Sequence, residues 1–341
     1  KGASPSRPCA AGAGPAAEGP LGRAAGGAME AYEELRRVGR GAFGEVSLMR
    51  RRADGALCAV KRIPKQTVTG GAECAADHEA EVMALKGLAH PCILRFWGSF
   101  HDQASVRLVT EYADAGDLER LLRRRSETGR ALEALVLLAI FAQLAAAVAH
   151  VHANHVLHRD LKPSNILVTA KGYVKLGDFG VAKEIAGTAV CDAMTTVGSP
   201  VYMAPEVVNG EPYGPPCDVW SLGVVLYELG TFQKPFQGRS FWELAMRISA
   251  GTFPDVGGRI LAAGGAAAAA LAAVVEPLVR QMLVADMAAR APAAEIADGP
   301  VLALFAASLA KCAACVAALL LEMGLHAEIA GADGSAGRDA P

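Results

Sequence analysis

The sequence carries almost no net charge. Its 33 Lys and Arg against 35 Asp and Glu leave −2 over 341 residues. That balance argues against a dedicated nucleic-acid binder, which needs a basic surface to neutralise phosphates. A regular cysteine framework is also missing. The eight cysteines are scattered, and Cys312 and Cys315 form a C-x-x-C with no second pair to complete a zinc site. They read as small apolar residues of a protein in a reducing, intracellular compartment. Residues 1–28 hold Ala, Gly and Pro without an apolar h-region, so no secretory signal is visible. Their composition predicts a disordered leader in preference to a transit peptide. The chain begins with Lys1, so a fragment or an over-extended reading frame is expected, with Met29 as the candidate start. No internal repeat is evident. What is abundant is apolar: 52% hydrophobic and 20% charged residues are enough for one two-lobed domain plus tails, or two small domains.

Residue patterning divides the chain. Tyr32 to Arg62 reads as strands around a glycine turn, with Asp54-Gly55 as a hairpin signal. Residues 72–88 have helical spacing, and 93–112 read as two more strands. Residues 131–153 form a long Ala/Leu/Val run expected to be a buried helix, and helices dominate from 205 onward. The Ala/Gly tract at 257–275 reads as a surface insertion between late helices. Residues 301–321 are apolar enough to require a membrane check, but Lys311 lies at the centre. A central Lys costs about 3 kcal/mol on the insertion scale. On a helix Leu302, Phe305, Leu309, Val316 and Leu320 share one face, with Lys311 and Glu322 opposite, so a helix packed on the domain is expected and no membrane span. A small β-rich lobe therefore precedes a larger α-rich lobe, with a hinge near Glu111–Ala113 and an active site between them.

The chemistry concentrates in His158-Arg159-Asp160-Leu161-Lys162-Pro163-Ser164-Asn165 and, thirteen residues on, Asp178-Phe179-Gly180. A carboxylate, a lysine and an amide share one short loop, and a second carboxylate follows in the next. That set can handle a hydroxyl nucleophile, a transferred phosphoryl group and Mg²⁺ together. Upstream, Gly39-Arg40-Gly41-Ala42-Phe43-Gly44-Glu45-Val46 is G-x-G-x-x-G-x-V. Its glycines let backbone N–H groups approach phosphate oxygens. Alone the pattern is weak, because dinucleotide-binding folds share its core. Here it lies between strand patterns, ahead of Cys58-Ala59-Val60-Lys61.

This ordered series resembles the eukaryotic protein kinases. The resemblance implies an α+β, two-lobed kinase fold over 29–306. A small β-rich N-lobe with one main helix would span about 29–111, an α-helical C-lobe about 114–306, and a helical or disordered tail 307–341. It implies that Lys61 holds the α/β-phosphates and pairs with Glu81; Glu79 competes, but His90-Pro91 nine residues beyond Glu81 fits the family spacing. Asp160 would be the base or orienting group for the substrate hydroxyl, and Lys162 would neutralise the γ-phosphate. Asn165 and Asp178 would ligate Mg²⁺, which prefers oxygen donors. ATP would lie against the glycine loop from Gly39 to Gly44, with Val46, Ala59 and Leu167 around adenine. Thr110 would be the gatekeeper, and Glu111 and Ala113 would belong to the hinge. Asp117 would face ribose or substrate, or cap a helix N-terminus, or both. Glu206 of Ala204-Pro205-Glu206 would pair with Arg290, and Asp218 would anchor the catalytic-loop backbone. Leu85, Phe96, His158 and Phe179 would form one apolar stack. A phosphate on Thr195, with Thr196 as the alternative, would meet Arg159, assisted by Lys183, and order the loop.

Across roughly residues 30–305 the chain is similar to the NIMA-related (NEK) serine/threonine kinases. The resemblance rests on Leu176-Gly177 before Asp178, on Ala113-Asp114-Ala115-Gly116-Asp117-Leu118, and on Thr196-Val197-Gly198-Ser199-Pro200-Val201-Tyr202-Met203. Gly210-Glu211-Pro212-Tyr213 and Gly230-Thr231-Phe232-Gln233-Lys234-Pro235-Phe236 reinforce it. Three departures stand out: Ser199 for the usual Thr, Ala291 for the usual Pro, and Phe96 where some relatives carry Tyr. The expectation is an ATP- and Mg²⁺-dependent kinase acting on Ser/Thr of protein substrates, in the cytoplasm, with cytoskeletal or ciliary work implied by the family. The rival is a pseudokinase scaffold that binds nucleotide without transferring phosphate.

Overall fold

The computed structural model describes residues 28–41, 44–64, 87–101, 105–179, 200–264 and 267–325. Several sequence expectations lie outside them: the leader, Ala42 and Phe43, most of the 72–88 helix with Glu79, Glu81 and Leu85, and Lys183, Thr195 and Thr196.

The N-lobe is a five-stranded antiparallel sheet in the order β1-β2-β3-β5-β4. Its strands are β1 Tyr32–Gly41, β2 Gly44–Arg51, β3 Leu57–Pro64, β4 Phe96–His101 and β5 Ser105–Glu111. Gly55, at φ +72°, closes the β2–β3 turn where Asp54-Gly55 predicts one. Period-two alternation sends Tyr32, Met49, Cys58, Val60, Phe100 and Val109 to one face of the sheet. Gly44 starts β2 at φ +142°, and a Cβ there would lie 2.0 Å from the Arg62 carbonyl oxygen, so no side chain fits.

The C-lobe is helical around one core. Its first helices are α1 Leu118–Glu127 and α2 Ala134–Ala153, followed by a hairpin of β6 Ile166–Val168 and β7 Val174–Leu176. Then come α3 Pro205–Val208, α4 Pro216–Thr231, α5 Phe241–Ala250, α6 Val256–Ala263, α7 Ala268–Met282, α8 Ala293–Ala297, α9 Pro300–Ala306 and α10 Leu309–Glu322. The α+β two-lobed fold is as expected. Helix α2 is buried on nearly every side, as its unbroken apolar run demands. Among the described helices it is the one long and apolar enough alone to cross a membrane, and the bent pair formed by Met287–Phe305 and α10 passes the same test together. Both pack into the C-lobe core through residues such as Phe141, Leu302 and Val316.

Two expectations need correction. The 257–275 tract is no surface insertion: it forms most of α6 and the start of α7, with Ile260, Leu271, Ala272 and Val275 buried. Alanine is the strongest helix former, so an Ala-rich tract needs few larger side chains to dock. Gly230 of α4 makes room for them, because a Cβ there would already lie 3.2 Å from Ile260 Cδ1. The single helix expected at 301–321 is broken at Ala307–Ser308 into α9 and α10. Its face largely survives: Leu302, Val316 and Leu320 are buried, Phe305 and Leu309 half-buried, and Lys311 and Glu322 exposed.

Glu206, on α3, and Arg290 form a buried bidentate pair at 2.7 and 3.1 Å, and Arg290 also donates to the Pro216 carbonyl at 2.7 Å. The Arg290 guanidinium lies over the Trp220 ring, 5.1 Å from its centroid. Glu206→Ala leaves that cation buried without its carboxylate, which costs about 3–5 kcal/mol. Urea unfolding of the variant is expected to show a drop of that size, and one under about 1 kcal/mol would mean that water reaches the pair.

Candidate active site

One carboxylate organises the loop after α2. Asp218, in the first turn of α4 and 1% exposed, accepts the N–H of His158 at 2.9 Å and of Arg159 at 2.8 Å. His152 Nε2 approaches the same carboxylate at 2.9 Å. Arg159 has φ +66°, a left-handed conformation that costs a non-glycine residue about 1 kcal/mol or more. The Asp218 bond to its N–H holds that strain in place. Burial alone would raise the Asp218 pKa, but the His152 hydrogen bond and the nearby histidines outweigh it and hold the carboxyl below its usual range.

The next residues converge on Asp160. Pro163 opens a short 3₁₀ turn, Pro163–Asn165, that brings Asn165 back beneath the loop. Asn165 Nδ2 donates to the Asp160 carbonyl at 2.8 Å and to its Oδ2 at 3.0 Å, while Lys162 Nζ donates to that Oδ2 at 2.9 Å. With its amide nitrogen so used, Asn165 presents Oδ1 as an oxygen donor. The three residues that the sequence places in one loop thus act on one carboxylate.

Asp178 follows β7 at φ +55° with a half-exposed side chain, and Lys61 of β3 reaches its Oδ1 at 2.5 Å. That contact joins the lobes across the cleft. His158 links Asp178 to the catalytic loop: fully buried, it donates Nε2–H to the Gly177 carbonyl at 2.9 Å and accepts the Asp160 N–H on Nδ1 at 3.3 Å. Burial is the leading cause of its lowered pKa, so the ring is neutral, as this bonding requires. Phe179 packs on it at 4.8 Å between centroids, forming part of the expected stack.

On the nucleotide side Val46 pairs with Lys61 across β2–β3, and Ala59 with Thr110 across β3–β5. Leu167 lies on β6, bridged to Asp117. Asp117 caps α1, its Oδ1 accepting the Arg120 N–H at 2.7 Å, and burial raises its carboxyl pKa. The Glu111 carboxylate takes Lys175 Nζ at 2.8 Å and the Arg95 N–H at 2.8 Å, so what Glu111 turns to a ligand in the hinge is backbone. Ala113 is buried just beyond it. Gly39, Arg40 and Gly41 close the end of β1 against β2. Sequence reasoning missed Lys175, His152 and Gln143, whose Oε1 accepts the Val174 N–H at 3.0 Å. Lys175 and His152 are polar residues in otherwise apolar elements, and that was the available signal.

Asp218→Asn turns an NH₂ toward one of the two loop amides. Since a shift of about 1 Å in a reacting group can cost 10²-fold, a loss of that order in kcat/KM is expected in phosphoryl-transfer assays. The pH dependence has a definite sign. His158 and Asp218 both have folded pKa values below their unfolded ones, so each contributes stability at neutral pH that is lost on acidification. The loss begins below about pH 6.5 for His158 and below about pH 4 for Asp218. Urea unfolding at pH 7.5, 6 and 5 is expected to show falling stability, and a flat profile would refute the neutral buried ring.

The family model for the protein kinase domain matches residues 32–302. Among curated proteins the chain is 39% identical over 232 residues to serine/threonine-protein kinase Nek8 of Danio rerio, covering 68% of this chain and 32% of that protein. It is 34% identical over 229 residues to Nek5 of Homo sapiens, covering 67% and 32%. It is 35% identical over 228 residues to Nek1 of Mus musculus, covering 67% and 18%. The aligned part is thus about a third or less of each relative's length. With this match over most of its length, and with its loop, hinge and Lys61–Asp178 contact arranged around one cleft, the chain belongs to the protein kinase domain family and is related within it to the Nek kinases.

Proposed function

We propose that the chain is a serine/threonine protein kinase that transfers the γ-phosphoryl group of Mg-ATP to hydroxyls of protein substrates. The observation that carries this reading is the convergence of Lys162 and Asn165 on Asp160, with Lys61 and Asp178 joined across the cleft. The names of the relatives support the serine/threonine class.

The residues fit the divalent ion. Asn165 Oδ1 and the half-exposed Asp178 carboxylate are hard oxygen donors, the class that Mg²⁺ selects. When bound, the ion would neutralise phosphate charge. Asp160 orients the substrate hydroxyl and accepts its proton, and its alignment depends on the Asn165 and Lys162 bonds. Lys162 lies where charge moves during transfer. Lys61 fixes the phosphates against β3, and Glu81 is proposed to keep it there. Val46, Ala59 and Leu167 would enclose adenine while hinge backbone groups bond its edge. The inventory favours an enzyme over a scaffold, since Lys61, Asp160, Asn165 and Asp178 are all present. The reading extends to control by phosphate on Thr195 or Thr196 and to cytoplasmic, cytoskeletal or ciliary work, by family resemblance.

Lys61→Met and Asp160→Asn are each expected to lower the rate at least ~10²-fold in a peptide-library assay with Mg-ATP, the lower end of what positioned groups supply. Wild-type turnover in both variants would defeat the assignment. For the switch, phosphatase treatment and the double change Thr195→Ala with Thr196→Ala are expected to lower activity, and no effect from either would remove it. At the gate, Thr110→Met is expected to weaken an aryl-armed ATP-competitive inhibitor while sparing the KM for ATP. The arm's binding comes from apolar area removed from water, about 25 cal/mol per Å². Equal inhibition constants would show that Thr110 guards no pocket.

A further inference from the structure

Helix α10 begins beyond the residues that the family model matches, yet it is seated in the C-lobe core. Cys312, Val316 and Leu320 are buried at 2%, 0% and 0% exposure. Its C-terminal end is held by charge: Glu322 Oε1 accepts from Arg125 at 3.2 Å and pairs with Arg130 at 3.5 Å, and Arg124 donates to the Met323 carbonyl at 3.4 Å.

The point where α10 meets the active-site framework is Gly172, in the turn of the β6–β7 hairpin. This residue has φ +80°, and a Cβ built on it would lie 1.8 Å from the Ala313 carbonyl oxygen and 2.5 Å from the Ala317 nitrogen. The turn therefore rests directly on the α10 backbone. The hairpin needs such support, because two three-residue strands are not stable alone. Its supports include Gln143 of α2, which accepts the Val174 N–H; the segment before β4, through Leu94 N–H to Leu176 O at 2.8 Å and Leu176 N–H to Cys92 O at 2.9 Å; the segment before α1, through Val168 N–H to Gly116 O at 2.8 Å and Ala170 N–H to Asp114 Oδ1 at 2.6 Å; and α10. The hairpin in turn carries Leu167 at the adenine position and ends two residues before Asp178.

We propose that α10 is a positioning element for nucleotide binding: by bracing Gly172 it sets where Leu167 and Asp178 stand. The proposal rests on the kinase reading. It predicts that loosening α10 weakens nucleotide affinity, beyond lowering thermal stability.

The test uses the full chain with Val316→Ala, which removes buried packing from α10, and Glu322→Ala, an exposed position where folding is safe. Affinity for Mg-ADP is measured by titration calorimetry well below each variant's melting temperature. Both are expected to bind roughly three- to tenfold more weakly than wild type, a change of one order or less in Kd. Glu322→Gln, which keeps an acceptor for Arg125, is expected to recover most of the loss. Unchanged Kd with a lowered melting temperature would make α10 a plain core element and overturn the proposal. Wild-type protein that binds no Mg-ADP would overturn the kinase reading, and this proposal with it.

Discussion

The catalytic half of the molecule depends on one buried carboxylate accepting two consecutive backbone amides. Asp218 is anchored in a helix whose Trp220, Leu222, Val224 and Leu226 are fully buried, so its position is fixed by the whole C-lobe core. Through His158 and Arg159 it fixes the irregular start of the loop, ahead of the Pro163–Asn165 turn. From there the order passes by short polar links to Asp160, Asn165 and Gly177. Neutral protein groups alone would not hold Arg159 in a left-handed conformation as firmly as hydrogen bonds to a charged acceptor, which are about twice as strong.

The two lobes are joined by polar contacts of different kinds. Lys61 to Asp178 crosses the open cleft, where ligand and ion would compete for both partners. Glu111 to Lys175 lies behind it, with His90 and His150 stacked at 5.1 Å. Burial, then His150 and Lys175, push the His90 pKa down to about 4, so that ring stays neutral beside the lysine. The cleft contact is thus free to change with ligand while the rear contact keeps hinge and β7 in register.

Much of this was legible in the sequence because its chemistry is tied to short motifs. Glu206 with Arg290, and Asp218 with the loop, are 84 and about 60 residues apart, yet each was nameable from its motif. The five strands and the buried helix α2 followed from periodicity and apolar length. What failed was of another kind. An Ala-rich tract has no strong face, so nothing in 257–275 distinguished a docked helix pair from an insertion. The turn at Ala307–Ser308 has neither glycine nor proline to announce it. Lys175 to Glu111 joins two residues of ordinary strand pattern, and that pairing exists only once hinge and hairpin meet.

The burial of α2 has a consequence for how the chain is made. This twenty-residue helix packs against α8, α9 and α10, whose residues 293–322 leave the ribosome long after its own. Until they arrive, one of the most apolar stretches of the protein has no permanent partner on that side. Apolar surface exposed in this way during synthesis is prone to aggregation until its partners arrive. A product ending before α10 would leave part of that surface bare even though every motif of the catalytic cleft had been synthesised.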